Sequence, residues 1–199
     1  MKGRLGCIIL LVLVALGGGA VLWGVGINNA LVQKQIAVDE AWSNVENVYQ
    51  RRADLIPNLV ETVKGVANFE KSTMQAVVEA RAKATQVVLS PQMINDPAKF
   101  AQFQRAQGEL SGALSRLLAV AENYPDLKAN QNFLELQSQL EGTENRIAVE
   151  RRRFNETVKS YNTAIRVFPS SVVASLRGFG PKQFFAAEPG AEKAPQVKF

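Results

Sequence analysis

Along most of this chain apolar residues recur in alternating steps of four and three. Val38, Trp42, Val45 and Tyr49 hold one phase, and the charged Arg52 falls in the same phase, so all five lie on one face of a helix. The spacing resumes through Leu59, Val63, Val66, Glu70, Thr73, Val77, Ala80 and Ala84. A third stripe, Phe100, Phe103, Gln107, Leu110, Leu114, Leu117 and Ala121, follows Asp96-Pro97, a capping residue and then a proline where the first helical N–H is spare. The fourth is Phe133, Leu136, Leu140, Thr143, Ile147, Phe154, Val158, Tyr161, Ile165 and Phe168, with Pro169 as its stop. There is almost no two-residue alternation. The pattern predicts an all-α protein: four amphipathic helices with short connections, none able to bury its stripe alone, packed as an antiparallel up-down four-helix bundle. Gln107, Thr143 and Arg52 interrupt the stripes, as tolerated seam residues or register devices, with a ligand role as the alternative.

Before these stripes the periodicity disappears. From Cys7 to Ile27, "CIILLVLVALGGGAVLWGVGI" carries no charge. About 21 residues at ~1.5 Å each reach across a ~30 Å hydrocarbon core. The reading is a transmembrane helix over 7–27, with Lys2 and Arg4 in a cytoplasmic segment 1–6 and the rest of the chain on the other side of the inner membrane. The alternative is a signal peptide cleaved near Gly18-Gly19-Ala20. Against it, Val21, Leu22, Trp23, Val25 and Ile27 prolong the apolar run. No cysteine follows the run, so a lipoprotein is not indicated. The bundle is then assigned to 28–169, a short amphipathic, aromatic segment to 170–187 and a flexible tail to 188–199.

"RRADLIP", residues 51–57, breaks the pattern with two arginines, an acid and a proline. The apolar phase carries through it by way of Ile56, which would suit one long kinked helix. However, such a helix of about 60 residues would run ~90 Å, more than the other helices can cover. The expectation is therefore a helical hairpin here, with Asp54 as cap and Pro57 in the first turn of the next helix.

Composition narrows the chemistry. The chain has 199 residues, no histidine and one cysteine. That removes Ser-His-Asp and Cys-His nucleophile pairs, the usual zinc sites, the Glu-x-x-His sites of two-metal bundles and internal disulfides. Lys2 and Arg4 supply two of the formal net charge of +5, and the other charges are mixed along the helices, so nucleic acid is not the expected partner. No cofactor is expected.

"AWSNVENVYQRRADLIPNLVETVKG" at 41–65, "EARAKA" at 79–84, the long block from Tyr124 to Pro169 and "GFGPKQFF" at 178–185 resemble the bacterial LemA family. The resemblance covers nearly everything after the anchor. It implies one N-terminal membrane helix, an antiparallel helical bundle and no established catalytic activity. Phe69 stands where the resemblance would place a histidine.

The function these features suggest is a non-catalytic, single-pass membrane protein whose extracytoplasmic bundle is a scaffold or accessory module in the envelope, in contact with the bilayer and with envelope proteins. The alternative is a bundle that binds a small ligand or lipid as a sensor. An enzyme would have to draw on Glu141, Glu144 and Glu150 near Arg146 and Arg151 to Arg153, charges of a kind that ordinarily form a solvated helix face. Two surfaces are candidates. Arg51, Arg52, Asp54 and Pro57, expected beside Tyr124, Pro125 and Asp126 at the end far from the membrane, form a partner surface. Arg177, Phe179, Lys182, Phe184 and Phe185, expected next to the anchor's outer end, form a membrane-proximal contact. The competing reading of the second set is that its rings close the open end of the core.

Overall fold

The protein is described from a computed structural model covering residues 2–66, 69–87 and 90–186, with side chains from Leu10 onward. The tail assigned to 188–199 lies outside the described residues, as do the side chains of Lys2, Arg4 and Cys7. The described residues contain helices and no strand: α1 (Lys2–Lys64), α2 (Lys71–Gln86), α3 (Pro97–Ala121), α4 (Pro125–Lys128), α5 (Gln131–Ala164) and α6 (Ser170–Arg177), with a 3₁₀ turn at Met93–Asn95. The chain divides into two compact units, one from Met1–Glu40 with Glu156–Lys182, the other from Ala41–Asn155 with Gln183–Phe199. α1 and α5 contribute to both.

In the second unit the four long helices run alternately up and down, as their short connections require. Three layers show the register. Trp42 of α1 meets Phe100 and Phe103 of α3 and Phe154 of α5. Further along α1, Arg52 reaches Gln107 and Ser111 of α3 and Glu144 of α5. Near the end of α1, Val63, Phe69, Ala121, Leu127 and Phe133 share one core cluster. Residue numbers rise together in α1 and α3 and fall in α5, as an up-down path demands.

The caps explain where the helices start and stop. Asp96 Oδ1 accepts from the N–H groups of Ala98 and Lys99 while Pro97 takes the first helical position of α3, as its sequence predicts. Asn130 Oδ1 accepts from Phe133 N at the head of α5. α6 ends at Gly178 with φ 74°, a left-handed conformation that favours glycine, and Phe179 N bonds back to Ala174 O.

The expected hairpin at "RRADLIP" is not there. α1 continues through it to Lys64, with Pro57 inside the helix, and the connection to α2 comes after Gly65. The length objection falls away because the first part of α1 is the uncharged run, and only the remainder, ending at Lys64, has to be covered by other helices. What makes the proline tolerable is a substitute donor. Pro57 has no N–H to give the carbonyl four residues back, that of Ala53, and Ala53 is buried. Arg81 Nε of α2 donates to Ala53 O at 2.8 Å. Arg81→Ala should therefore cost about 1–3 kcal/mol, the penalty for a buried unsatisfied carbonyl. In a Pro57→Ala background, where a new backbone N–H takes that carbonyl, the same change should cost less than half as much. Equal costs in the two backgrounds, by chemical denaturation, would show that Arg81 does not stand in for the missing bond.

Of the first unit, the residues of α1 from Leu10 to Val25 hold exposed apolar side chains, including Leu13, Leu16, Leu22 and Trp23. This is a helix long and apolar enough to cross a membrane, and none of its most apolar stretch is covered by protein. Beyond it the unit closes around Leu31, Val38, Val158, Tyr161, Ile165 and Ala174, all buried.

Candidate functional site

The partner surface read from the sequence comes apart in the fold. Arg51, Asp54 and Pro57 are exposed on α1, and Asp54 Oδ1 accepts from Gln50 Nε2 at 2.8 Å. Arg52 is not a surface residue. It is 1% exposed, because its phase on the helix is that of Tyr49 and Ile56. Pro125 and Asp126 are exposed and Tyr124 is half-buried, its ring 4.9 Å from that of Phe69. Since α1 passes straight through Arg51 and about 20 Å further at ~1.5 Å per residue to Lys64, the loop at Tyr124 packs at the end of α1 and not beside Arg51. Phe69 itself is buried there, so its side chain serves packing.

Arg52 organises a polar layer inside the bundle. Its Nη1 donates to Ser111 Oγ at 2.7 Å and to Glu144 Oε1 at 2.6 Å, its Nη2 donates to Gln107 Oε1, and the guanidinium lies 5.1 Å from the Tyr49 ring centre. Nε has no partner among the described residues. Gln107 is buried with it, and Thr143, also buried, donates to Gln139 O at 2.7 Å. The seam residues are thus inside, and two of the three are joined.

The carboxylates weighed for catalysis are engaged elsewhere. Glu144 pairs with Arg52, Glu150 with Arg153 at 3.0 Å, and Glu141 accepts from Gln137. Arg151 donates to Ala186 O and covers the Phe185 ring at 4.9 Å. Among the described residues no three of His, Cys, Asp and Glu gather where a metal ion could be held. A cavity of about 620 Å³ opens in the second unit, lined by Lys83, Gln92, Lys99, Gln102, Arg105 and Glu109 among others. It is a surface recess, with Lys83 and Glu109 paired at 3.3 Å on its wall.

The membrane-proximal set also divides: Phe185 and Lys182 are buried and the other three are not. Phe185 is 5% exposed and stacks on Trp42 at 6.2 Å, with Phe100 and Phe154 at 5.0 and 5.5 Å. Its backbone is held by one side chain: Asn155 of α5 donates to Phe185 O and accepts from Phe185 N. Ala186 N donates to Gln104 and Gln183 N to Ile94 O in the same unit. In the first unit Asn162 treats Lys182 in the same way, donating to its carbonyl and accepting from its N–H, each at 2.9 Å. Lys182 is 8% exposed, its ammonium 5.7 Å from the Tyr161 ring centre, and Tyr161 donates to Gly180 O. A lipid contact through Phe185 or Lys182 is therefore excluded by their burial. Phe184 is exposed, Phe179 half-buried and Arg177 exposed.

Burial governs the titrating groups that shift. It lowers the Lys182 ammonium against the opposing pull of Asp39, and it raises Asp39 against the pull of Lys182. Tyr161 is raised by burial and by Asp39. In the second unit burial raises Glu46, opposed by the Trp42 indole, yet neither Trp42 Nε1 nor Glu46 Oε1 completes a hydrogen bond among the described residues. The double asparagine clamps carry no local sequence signal, because their partners lie 20 and 30 residues away.

Taken together, an exposed apolar N-terminal helix runs without interruption into a helical bundle whose charges and amides mostly hold its own chain, which defines a membrane-associated all-α protein. The LemA family profile matches residues 41–199, and the chain belongs to that family. It is 27% identical over 188 residues to "Magnetosome protein MamQ" of Magnetospirillum gryphiswaldense, covering 85% of this chain and 69% of that one. It is 26% identical over 166 residues to "Magnetosome protein MamQ 1" of Paramagnetospirillum magneticum, covering 75% and 61%. With "Protein LemA" of Metamycoplasma hominis it shares 25% over 150 residues, 75% of this chain and 64% of the other. The matched region is thus less than two thirds of the latter two proteins.

Proposed function

We propose that the chain is a non-catalytic, single-pass inner-membrane protein whose bundle is an extracytoplasmic scaffold, offering the exposed face of α1 around Arg51, Asp54 and Pro57 and the turn at Tyr124, Pro125 and Asp126 to envelope proteins. The observation that carries this reading is the unbroken α1. The helix that holds the uncovered apolar segment is the same one that supplies Trp42, Ile56 and Leu59 to the core, with no linker between. A bundle that shares a helix with its anchor suits a docking platform. None of the relatives named above carries the name of a reaction. The sensor reading has one supporting feature, the recess lined by Lys83, Lys99 and Arg105.

The topology can be measured by fusing to Phe199 a reporter that is active only outside the cytoplasm, alongside one active only inside. We expect the first to be active and the full-length chain to resist alkaline extraction from membranes, because Lys2 and Arg4 hold the N-terminus in the cytoplasm. Activity of the inside reporter instead, with full-length product present, would reverse the topology. A shortened chain released from the membrane would establish cleavage.

A further inference from the structure

With Phe185 and Lys182 inside, the apolar surface left over in the first unit lies one turn earlier in the chain. Phe168 is 83% exposed and Leu176 82%, more than any described side chain in the apolar segment of α1, where Leu22 reaches 76%. Val172 is exposed as well. Val172 and Leu176 are four residues apart on α6 and share a face, while Ala174, on another face, is buried. Val172 and Leu176 on this eight-residue helix, with Phe168 just before it, leave three apolar side chains uncovered, and their placement calls for an occupant.

Two observations identify it. Arg177 Nε, at the end of α6, donates to Asn28 Oδ1 at 3.1 Å. Asn28 directly follows Ile27, the last residue of the uncharged run, so α6 is tied to α1 at the level where the apolar segment ends. Charge agrees. No acidic residue occurs between Glu156 and Glu188, nor on α1 before Asp39, while Arg166 and Arg177 are exposed. A short amphipathic helix with apolar side chains on one side, arginines beside them and no acids suits the boundary between acyl chains and anionic headgroups.

We propose that α6 is an interfacial foot. Phe168, Val172 and Leu176 sit in the headgroup–acyl boundary of the bilayer that α1 spans, and Arg166 and Arg177 meet lipid phosphates. This rests on α1 spanning the membrane but not on which side the bundle lies.

The test uses the full chain with Cys7→Ala, reconstituted in vesicles containing phosphatidylglycerol, and one spin label at a time. Labels at Leu176→Cys and Phe168→Cys report the foot, Leu16→Cys the span, and Glu79→Cys on the exposed face of α2 the aqueous reference. The ratio of accessibility to oxygen over a water-soluble nickel chelate rises with depth in the bilayer. We expect Leu176 and Phe168 to give ratios severalfold above Glu79 and below Leu16. Ratios equal to Glu79, with Leu16 still deep, overturn the foot while leaving the anchor intact. A water-like ratio at Leu16 overturns both. A label at Leu176 shielded from both reagents would mean that protein, a second copy of the chain, covers α6, and would equally overturn the lipid assignment.

Discussion

Trp42→Ala will destabilise the second unit by about 3–5 kcal/mol, the cost of emptying a large aromatic site in a packed core. At about 2–4 °C per kcal/mol for a domain of this size, that lowers the melting temperature on the order of 10 °C. Trp42 is fully buried and touches four other rings, with centroids of Phe100, Phe103, Phe154 and Phe185 at 5.9, 5.7, 5.5 and 6.2 Å. These come from α3, α5 and the segment beyond α6, so the loss is felt by every element that meets α1 at this level. Trp42→Phe keeps an aromatic in the site and removes an indole N–H that completes no hydrogen bond among the described residues, so it should cost no more than about half as much. Thermal unfolding of the full chain in detergent, followed by circular dichroism, gives both numbers. A loss below about 1 kcal/mol for Trp42→Ala would show that the ring cluster is not what holds this end together.

The same cluster shows how far the sequence can be read. Trp42, Phe100, Phe103 and Phe154 announce themselves by position in their stripes, because helical periodicity is a local signal and burial follows from it. Asp96-Pro97 and Gly178 mark helix ends for the same reason: cap chemistry is settled within a few residues. Phe185 carries no such mark. It is held in the core by contacts far away in the chain, among them Asn155, 30 residues earlier, which binds its backbone twice. "RRADLIP" misleads for a related reason. Proline and charge are turn signals when the partner that accommodates them is out of sight, and here the partners are Arg81 for the carbonyl at Ala53 and Glu144 with Gln107 for Arg52. The correct clue, the unbroken apolar phase through Ile56, was present, as was Gly65 at the true end of the helix. Phe168 errs the other way: it keeps the phase of the fourth stripe, but α5 stops at Ala164 and leaves the ring in the open.

Arg52→Ala should cost about 3–4 kcal/mol, from two sources that can be pulled apart. Removing the side chain leaves a void where its aliphatic stem packed, and it leaves Gln107, itself buried, without the guanidinium it binds. Glu144 contributes less, because its side chain is 42% exposed and water can take the place of its partner. Arg52→Met fills most of the volume and keeps only the second source, so about 1–2 kcal/mol should be lost. Arg52→Met with Gln107→Leu removes both polar partners, and by the behaviour of buried ion pairs replaced with apolar groups it should recover most of that loss. The polar layer would then be a register device: α1, α3 and α5 are fixed at one height because only there do Arg52, Gln107, Ser111 and Glu144 meet. Its removal should show as broadened side-chain resonances and a weaker near-ultraviolet signal at nearly unchanged stability. If the double variant is instead as unstable as Arg52→Ala, the guanidinium itself stabilises the bundle and the register argument falls.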